Sequence, residues 1–253
     1  MNENKFDGKG NIYDKFRPEY PTEMFDYLKK ANIITKDTVA ADIGAGTGIF
    51  SEQLAKTLKY VYAVEPNPDM QNSCRMRLEK YNNTAIISGN AENTTLGENS
   101  VDIMTAAQAF HWFDPVLFKA ECCRILKPSG NIILVWNVRT VSDGNITAML
   151  YDINKKYCPN FNGFTAGIEF SDNDRFSSFF DGEFTLKKFN NDMLYTADEF
   201  IGRNLSSSYA PTESDAAFQP YIAALKELFE VKQKNGKAVY PYTTYCYIGN
   251  IIQ

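Results

Sequence analysis

Two carboxylates and a run of glycines carry the first chemical signal. In "VAADIGAGTGIF", residues 39 to 50, Asp42 stands just before Gly44-Ala45-Gly46-Thr47-Gly48, with glycine at every second position. Glycine removes the Cβ atoms that hold a ligand away from backbone, and a strand, glycine turn and helix present N–H groups at the carboxyl end of a parallel sheet. The same turn can also serve close helix packing alone. Asp42 would repel a pyrophosphate by like charge, so a cationic ligand suits the turn better. The dinucleotide fingerprint G-x-G-x-x-G also fails here, because Ile49 stands where the third glycine belongs. Glu65 follows Gly44 by 21 residues, at the end of the next apolar run. A carboxylate there can accept from both ribose hydroxyls of a nucleoside, NAD included, or cap the helix that follows.

A second stretch, "AQAFHWFD" (residues 107 to 114), holds the chain's single imidazole, His111. Its ordinary pKa lies near neutrality, which suits a general base or a group that orients a substrate hydroxyl or carboxylate; packing in an aromatic loop is the alternative. The aromatic faces of Phe110, Trp112 and Tyr13 can stabilise a cation, although tryptophans mostly fill cores and interfaces. Arg17 can pair with an acidic ligand group or stay solvated ahead of Pro18.

The elements that position these residues are legible from residue 22 to 136. Apolar runs "TVAADI" (38 to 43), "YVYAV" (60 to 64), "AIIS" (85 to 88), "VDIMTA" (101 to 106) and "NIILVW" (131 to 136) alternate with helical patterns, as in a parallel sheet with crossover helices. Asn67-Pro68 and Asp114-Pro115 each read as an N-cap with proline at the first helical position. The first of these helices should bury Met70, Cys74, Leu78 and Tyr81, and the second Val116, Ala120, Cys123 and Leu126, ending at "KPSG". After Trp136 the rhythm changes to a cap. There Thr196 and Glu199 form a capping box, and Phe218, Ile222, Leu225 and Phe229 set a long helix ended by Asn235 and Gly236. "EFTLKKF" (183 to 189) and "AVYPYTTYCYIGNII" (238 to 252) read as strands paired antiparallel at the sheet's edge.

Composition excludes other classes. A net charge of −5 gives no broad basic field for nucleic acid. No apolar run approaches a membrane span, and the polar start lacks a signal core, so a soluble cytoplasmic protein with no membrane partner is expected. Five cysteines without C-x-x-C spacing and a lone histidine leave no metal site, and the thiols read as reduced packing residues.

"ADIGAGTG", "AVEPNPDM", "SGNAENTTLGENSVDIMTAAQAFHWFD" and "RILKPSGNIILVW" together resemble the successive motifs of the Rossmann-like S-adenosylmethionine-dependent methyltransferases. They look most like the branch with the quinone-biosynthesis and trans-aconitate enzymes, as does "YDKFRPEYP" near the N-terminus. The resemblance spans residues 38 to 136 and thins after Arg139. It implies an α/β fold with a seven-stranded, mostly parallel sheet, an antiparallel edge strand and a helical cap. It also implies an N-terminal segment (1–21) folding over the cofactor, a binding core (22–138) and a C-terminal part (139–253) supplying cap and edge strands. Asp42, Gly44, Ala45 and Gly46 would line the methionine part of S-adenosylmethionine, and Glu65 the ribose. Pro66, Met70, Asn90 and Ala91 would flank the adenine. Asn90 stands where the family usually has aspartate, though an amide oxygen can still accept. Its neighbour Glu92 can reach the same edge or cap the turn. Gln108 would support the cofactor's amino or carboxylate end, and Tyr13, Arg17 and Trp112 would meet a small-molecule methyl acceptor. The rival expectations are a nicotinamide-dependent oxidoreductase and a non-catalytic nucleoside-binding protein.

Overall fold

The computed structural model describes residues 17–164, 173–181 and 183–251. Helix α1 (Thr22–Lys30) leads into strand β1 (Val39–Ile43), helix α2 (Ile49–Ala55), β2 (Tyr60–Val64), α3 (Pro68–Leu78) and β3 (Thr84–Ile87). Next come β4 (Val101–Ala107), a 3-10 turn (Phe110–Trp112), α4 (Pro115–Ile125) and β5 (Leu126–Arg139). The remainder supplies α5 (Ile146–Tyr157), α6 (Asn173–Phe179), β6 (Phe184–Asn190), β7 (Met193–Tyr195), α7 (Ala197–Leu205), α8 (Phe218–Lys232), β8 (Ala238–Tyr240) and β9 (Tyr242–Gly249).

Seven strands form one sheet in the order β3-β2-β1-β4-β5-β9-β6. The chain builds outward from β1 in one direction and then returns to start β4 on its other side. The crevice at the carboxyl ends of β1 and β4 is therefore the switch point where open α/β sheets bind ligands. Strands β1 to β5 run parallel, while β9 is antiparallel to both β5 and β6, so the antiparallel strand lies one place in from the edge. "KPSG" is absorbed into β5: Leu126 pairs with Val101 and Asn131 with Ile103, and the residues between bulge out around Ser129, whose φ is 66°.

Alternation along the strands feeds two apolar layers. On β5, Ile132, Leu134 and Trp136 face a cluster with Phe110, Phe118 and Phe176, whereas Ile133 and Val135 face one with Met24, Leu28, Phe50 and Leu54. The cap has its own core, built from Leu150, Phe200, Tyr221, Leu225, Phe229 and Tyr240.

Helix ends agree with the sequence at Asn67, whose side chain accepts from the Met70 N–H, at Asp114, which accepts from Val116 and Leu117, and at the Thr196–Glu199 capping box. Met70, Cys74 and Leu78 are buried as the stripe predicts, with Tyr81 beyond the helix end and half-buried. Two expectations are corrected. Helix α4 buries Phe118, Glu121, Cys122 and Ile125, and Val116 is 74% exposed. Glu121 belongs on this face because its carboxylate accepts from the Thr94 N–H (2.8 Å) and hydroxyl (2.5 Å) and pairs with Arg124, so its burial is compensated. Helix α8 ends at Lys232 and leads with Tyr221 in place of Ile222; Asn235 (φ 53°) and Gly236 (φ 76°) make the tight turn that bridges Lys234 and Lys237.

All five cysteines lie outside disulfides. Among the described residues no group of three or more His, Cys, Asp or Glu is placed to hold a metal ion, and no helix is long and apolar enough to cross a membrane.

Candidate functional site

A cleft opens at the carboxyl ends of β1 and β4. Its floor is the loop from β1 to α2. Gly44 has φ 68°, and a Cβ there would stand 2.8 Å from the Cβ of Ala109, so this glycine lets the loop pack against the loop after β4. Gly46 has φ 58° and nothing within 4 Å of a built Cβ: its backbone is bare to the cleft.

The loop's amides are largely spent inside the protein. The N–H groups of Gly44 and Ala45 both donate to the Val64 carbonyl (2.9 and 3.0 Å), and Gly48 donates to Ala45 (2.9 Å). Gly46 donates to Glu65 Oε2 at 2.9 Å. A pyrophosphate cradle needs such donors free and pointing at the ligand.

Two buried carboxylates stand beside this loop instead. Asp42 is 1% exposed; its Oδ2 accepts from Ser51 Oγ (2.6 Å) and its Oδ1 from Thr105 Oγ1 (2.8 Å). Burial pushes the Asp42 carboxyl up to about 6, with the like charge of Glu65 adding to the rise and the two hydroxyls opposing it. Glu65 is fixed at the end of β2 by the N–H groups of Gly46 and Asn67, the latter at 2.9 Å to Oε1. Its carboxylate thus lines the cleft and steadies the start of α3 at once. Thr47 adds a buried hydroxyl on the lining that has no hydrogen-bond partner among the described residues.

The cleft gathers most of the residues singled out from sequence. Asp42, Gly44, Ala45, Gly46 and Glu65 line it, with Pro66, Met70 and Ala91 beside Glu65's end. Gln108, Arg17 and Trp112 line it as well. Gln108 is held in the left-handed region (φ 57°), its N–H on the Val135 carbonyl and its amide on the Asn137 carbonyl (3.0 Å). Such backbone in a residue other than glycine persists only where neighbours over-determine it.

Two predicted residues stand off the lining. Asn90 turns its amide oxygen to the N–H groups of Glu92 (3.1 Å) and Asn93 (2.8 Å), closing the turn after β3. His111 is half-buried with its ring against Trp112, centroids 4.7 Å apart. Glu92 accepts from the Asp114 N–H (3.0 Å), which is the capping alternative. Tyr13 lies outside the described residues.

Sequence reasoning missed Tyr20, Asn137, Arg203 and Tyr242, which also line the cleft. Asn137 follows directly on "NIILVW" at the end of a strand, a position that could have been read. Arg203 and Tyr242 come from α7 and β9 and sit in no local motif.

Known proteins place this geometry. Residues 41–134 match the family model described as a methyltransferase domain. An uncharacterized methyltransferase of Mycobacterium tuberculosis is 39% identical over 127 residues, 50% of this chain and 49% of that protein. An uncharacterized methyltransferase-like protein of Schizosaccharomyces pombe is 36% identical over 128 residues, again 50% of this chain and 49% of the relative. The chain thus spans about half the length of the curated relatives it matches. A solved structure from Anaeromyxobacter dehalogenans, provisionally named a type II methyltransferase, superposes with a TM-score of 0.68 at 23% identity, covering 94% of this chain and 99% of that one. The names do not single out a quinone or trans-aconitate branch. Residues 41–134 thus resemble a methyltransferase domain in sequence, and the seven-stranded sheet shares the fold of the Anaeromyxobacter structure.

Proposed function

We propose that the protein transfers a methyl group from S-adenosylmethionine to a small organic molecule by in-line displacement. The observation that carries this is the pairing of two buried carboxylates, Asp42 and Glu65, with a glycine loop most of whose amides already have partners. That combination repels a phosphate chain and suits a cationic nucleoside. When bound, the cofactor supplies a methyl activated by its sulfonium.

This chain's residues then have positioning roles. Asp42 lies beside the amino end of the ligand and Glu65 beside the ribose, one carboxylate on β1 and the other directly after the adjacent β2. Pro66, Met70 and Ala91 flank the adenine, and the buried Thr47 hydroxyl offers a polar contact the ligand can complete. Asn90 has its oxygen committed to the turn, so it shapes this edge without needing to accept from the base. Trp112 and Phe113 supply aromatic walls that exclude water at the transfer position.

The test sets ligands side by side in calorimetry. S-adenosylhomocysteine should bind and NADH should not, and labelled-methyl transfer to a metabolite panel should follow. Uptake of the dinucleotide without the nucleoside would overturn the proposal.

Because His111 stands off the lining, its imidazole should contribute by packing on Trp112. His111→Gln should keep kcat within about threefold, whereas loss of a general base costs roughly a hundredfold or more. A hundredfold fall in single-turnover rate would restore the base role.

A further inference from the structure

The cap side of the cleft holds positive charge with no acidic partner among the described residues. Arg203 lines the cleft and is 4% exposed; its Nε donates to the Tyr242 hydroxyl at 3.0 Å, and its Nη1 reaches Ser206 and Ser207 only at 3.5 Å. Behind it Arg139, 9% exposed, gives its Nε to the Tyr240 hydroxyl (2.8 Å) and stacks on Phe164 at 4.6 Å. Arg139 Nη2 is buried without a hydrogen-bond partner among the described residues, as are the hydroxyls of Tyr195 and Tyr209. No carboxylate among the described residues forms an ion pair with either arginine. Glu199 is within electrostatic reach of Tyr195, but it is committed to the Thr196 N–H (2.8 Å) and hydroxyl (3.0 Å).

Two buried guanidiniums surrounded by hydroxyl groups are costly unless an anion arrives, because each has left water without a compensating charge. The Tyr242 phenol shows the same field: burial would raise it, but Arg203 and Arg139, with Arg17, hold it below its ordinary value. The cofactor's own carboxylate is poorly placed to be that anion. Asp42 sits on β1 and Glu65 directly after β2, whereas Arg139 and Tyr242 sit on β5 and β9, two and three strands beyond β1. At about 4.8 Å per strand that is roughly 10 and 14 Å away.

We infer that the methyl acceptor carries an oxyanion, a carboxylate or a phosphate, which docks against Arg203 and Tyr242 with Arg139 behind them. The inference rests on the methyltransferase assignment of the cleft. It concerns the end of the acceptor that is gripped. A guanidinium fork with a phenol beside it matches the planar or tetrahedral oxygens of such a group and leaves the accepting atom free to face the cofactor.

The experiment uses the full chain loaded with S-adenosylhomocysteine. Citrate and inorganic phosphate are titrated at constant ionic strength, with glycerol as the neutral control, into wild type, Arg203→Gln, Arg203→Lys and Arg139→Gln. One of the two anions should bind and raise the melting temperature of wild type, identifying the carboxylate or the phosphate source. Arg203→Gln and Arg139→Gln should weaken that binding at least tenfold, with S-adenosylhomocysteine affinity kept, and Arg203→Lys should retain part of it. Labelled-methyl transfer should favour acids of the responding class over their amides or alcohols. No response to either anion by a protein that binds S-adenosylhomocysteine overturns the inference alone. So does an Arg203→Gln variant that loses S-adenosylhomocysteine tenfold yet answers the anions as wild type does, since the arginine would then hold the cofactor. Failure of wild type to bind S-adenosylhomocysteine removes the methyltransferase assignment, and the inference falls with it. Should Arg203→Gln not fold, Arg203→Lys and Arg139→Gln carry the same comparison.

Discussion

Asp42→Asn should make the ligand-free protein more stable near neutral pH while weakening S-adenosylhomocysteine binding by roughly tenfold to a hundredfold, the loss expected when a buried charge partner is removed. The gain follows from the raised carboxyl. Its folded-state value, about 6, lies above the ordinary 3.8, so its contribution to stability is fully present below the lower value and is lost as pH climbs through the higher one. By pH 7 an ionised Asp42 costs the apo protein roughly 3 kcal/mol even with the Ser51 and Thr105 hydroxyls donating to it, and an amide can engage the same hydroxyls. Urea titrations from about pH 4 to pH 7 should therefore show wild type falling relative to the variant. Binding has the opposite slope. Wild-type affinity for the amino-bearing ligand should rise from about pH 5 to pH 7 and then level, as Asp42 ionises, and the slope should vanish in the variant. A flat affinity profile in wild type would separate Asp42 from the ligand.

The largest stability loss is expected at Phe118. It is fully buried on α4, stacked on Phe179 with centroids 5.5 Å apart and in contact range of Phe110 and Phe113. Phe118→Ala should cost about 3–5 kcal/mol, the usual sum of lost transfer and the cavity left behind. Val116→Ala, two residues earlier on the exposed face, should change stability by no more than about 0.5 kcal/mol. Urea midpoints of the two variants decide between faces, and a larger loss at Val116 would reverse the orientation of α4.

That comparison shows where the sequence was readable. Strands β1, β2, β4 and β5 announce themselves because both faces are largely covered, so each is a mainly apolar run, and the half-buried edge strand β3 shows through its short "AII"; Asn67 and Asp114 announce α3 and α4 because an N-cap followed by proline is a local device. The phase of α4 was hidden by one charged residue. Glu121 occupies the inward stripe with Phe118, Cys122 and Ile125, and the remote Thr94 together with Arg124 one turn along the helix makes its burial tolerable. The nucleoside side of the cleft shares this local character, since Asp42, Gly46 and Glu65 fall within one strand–helix–strand unit. The acceptor side does not: Asn137, Arg203 and Tyr242 meet only after three remote segments fold together. No spacing rule could announce Arg203 or Tyr242, whereas Asn137 at least follows directly on a legible strand. The role of His111 is no more legible, because a residue type suited to proton transfer says nothing of which way a 3-10 turn aims it.

Pro241 is the only residue between β8 and β9. Tyr240 on one side pairs with Met193 in the small sheet, and Tyr242 on the other pairs with Arg139 in the large one. Proline fixes φ, and both neighbours are held in ladders, so this junction has almost no torsional slack. The proposed acceptor grip is thus welded to the platform at that seam and does not swing as a jaw; diversification toward new acceptors would proceed by exchanging side chains on a rigid frame.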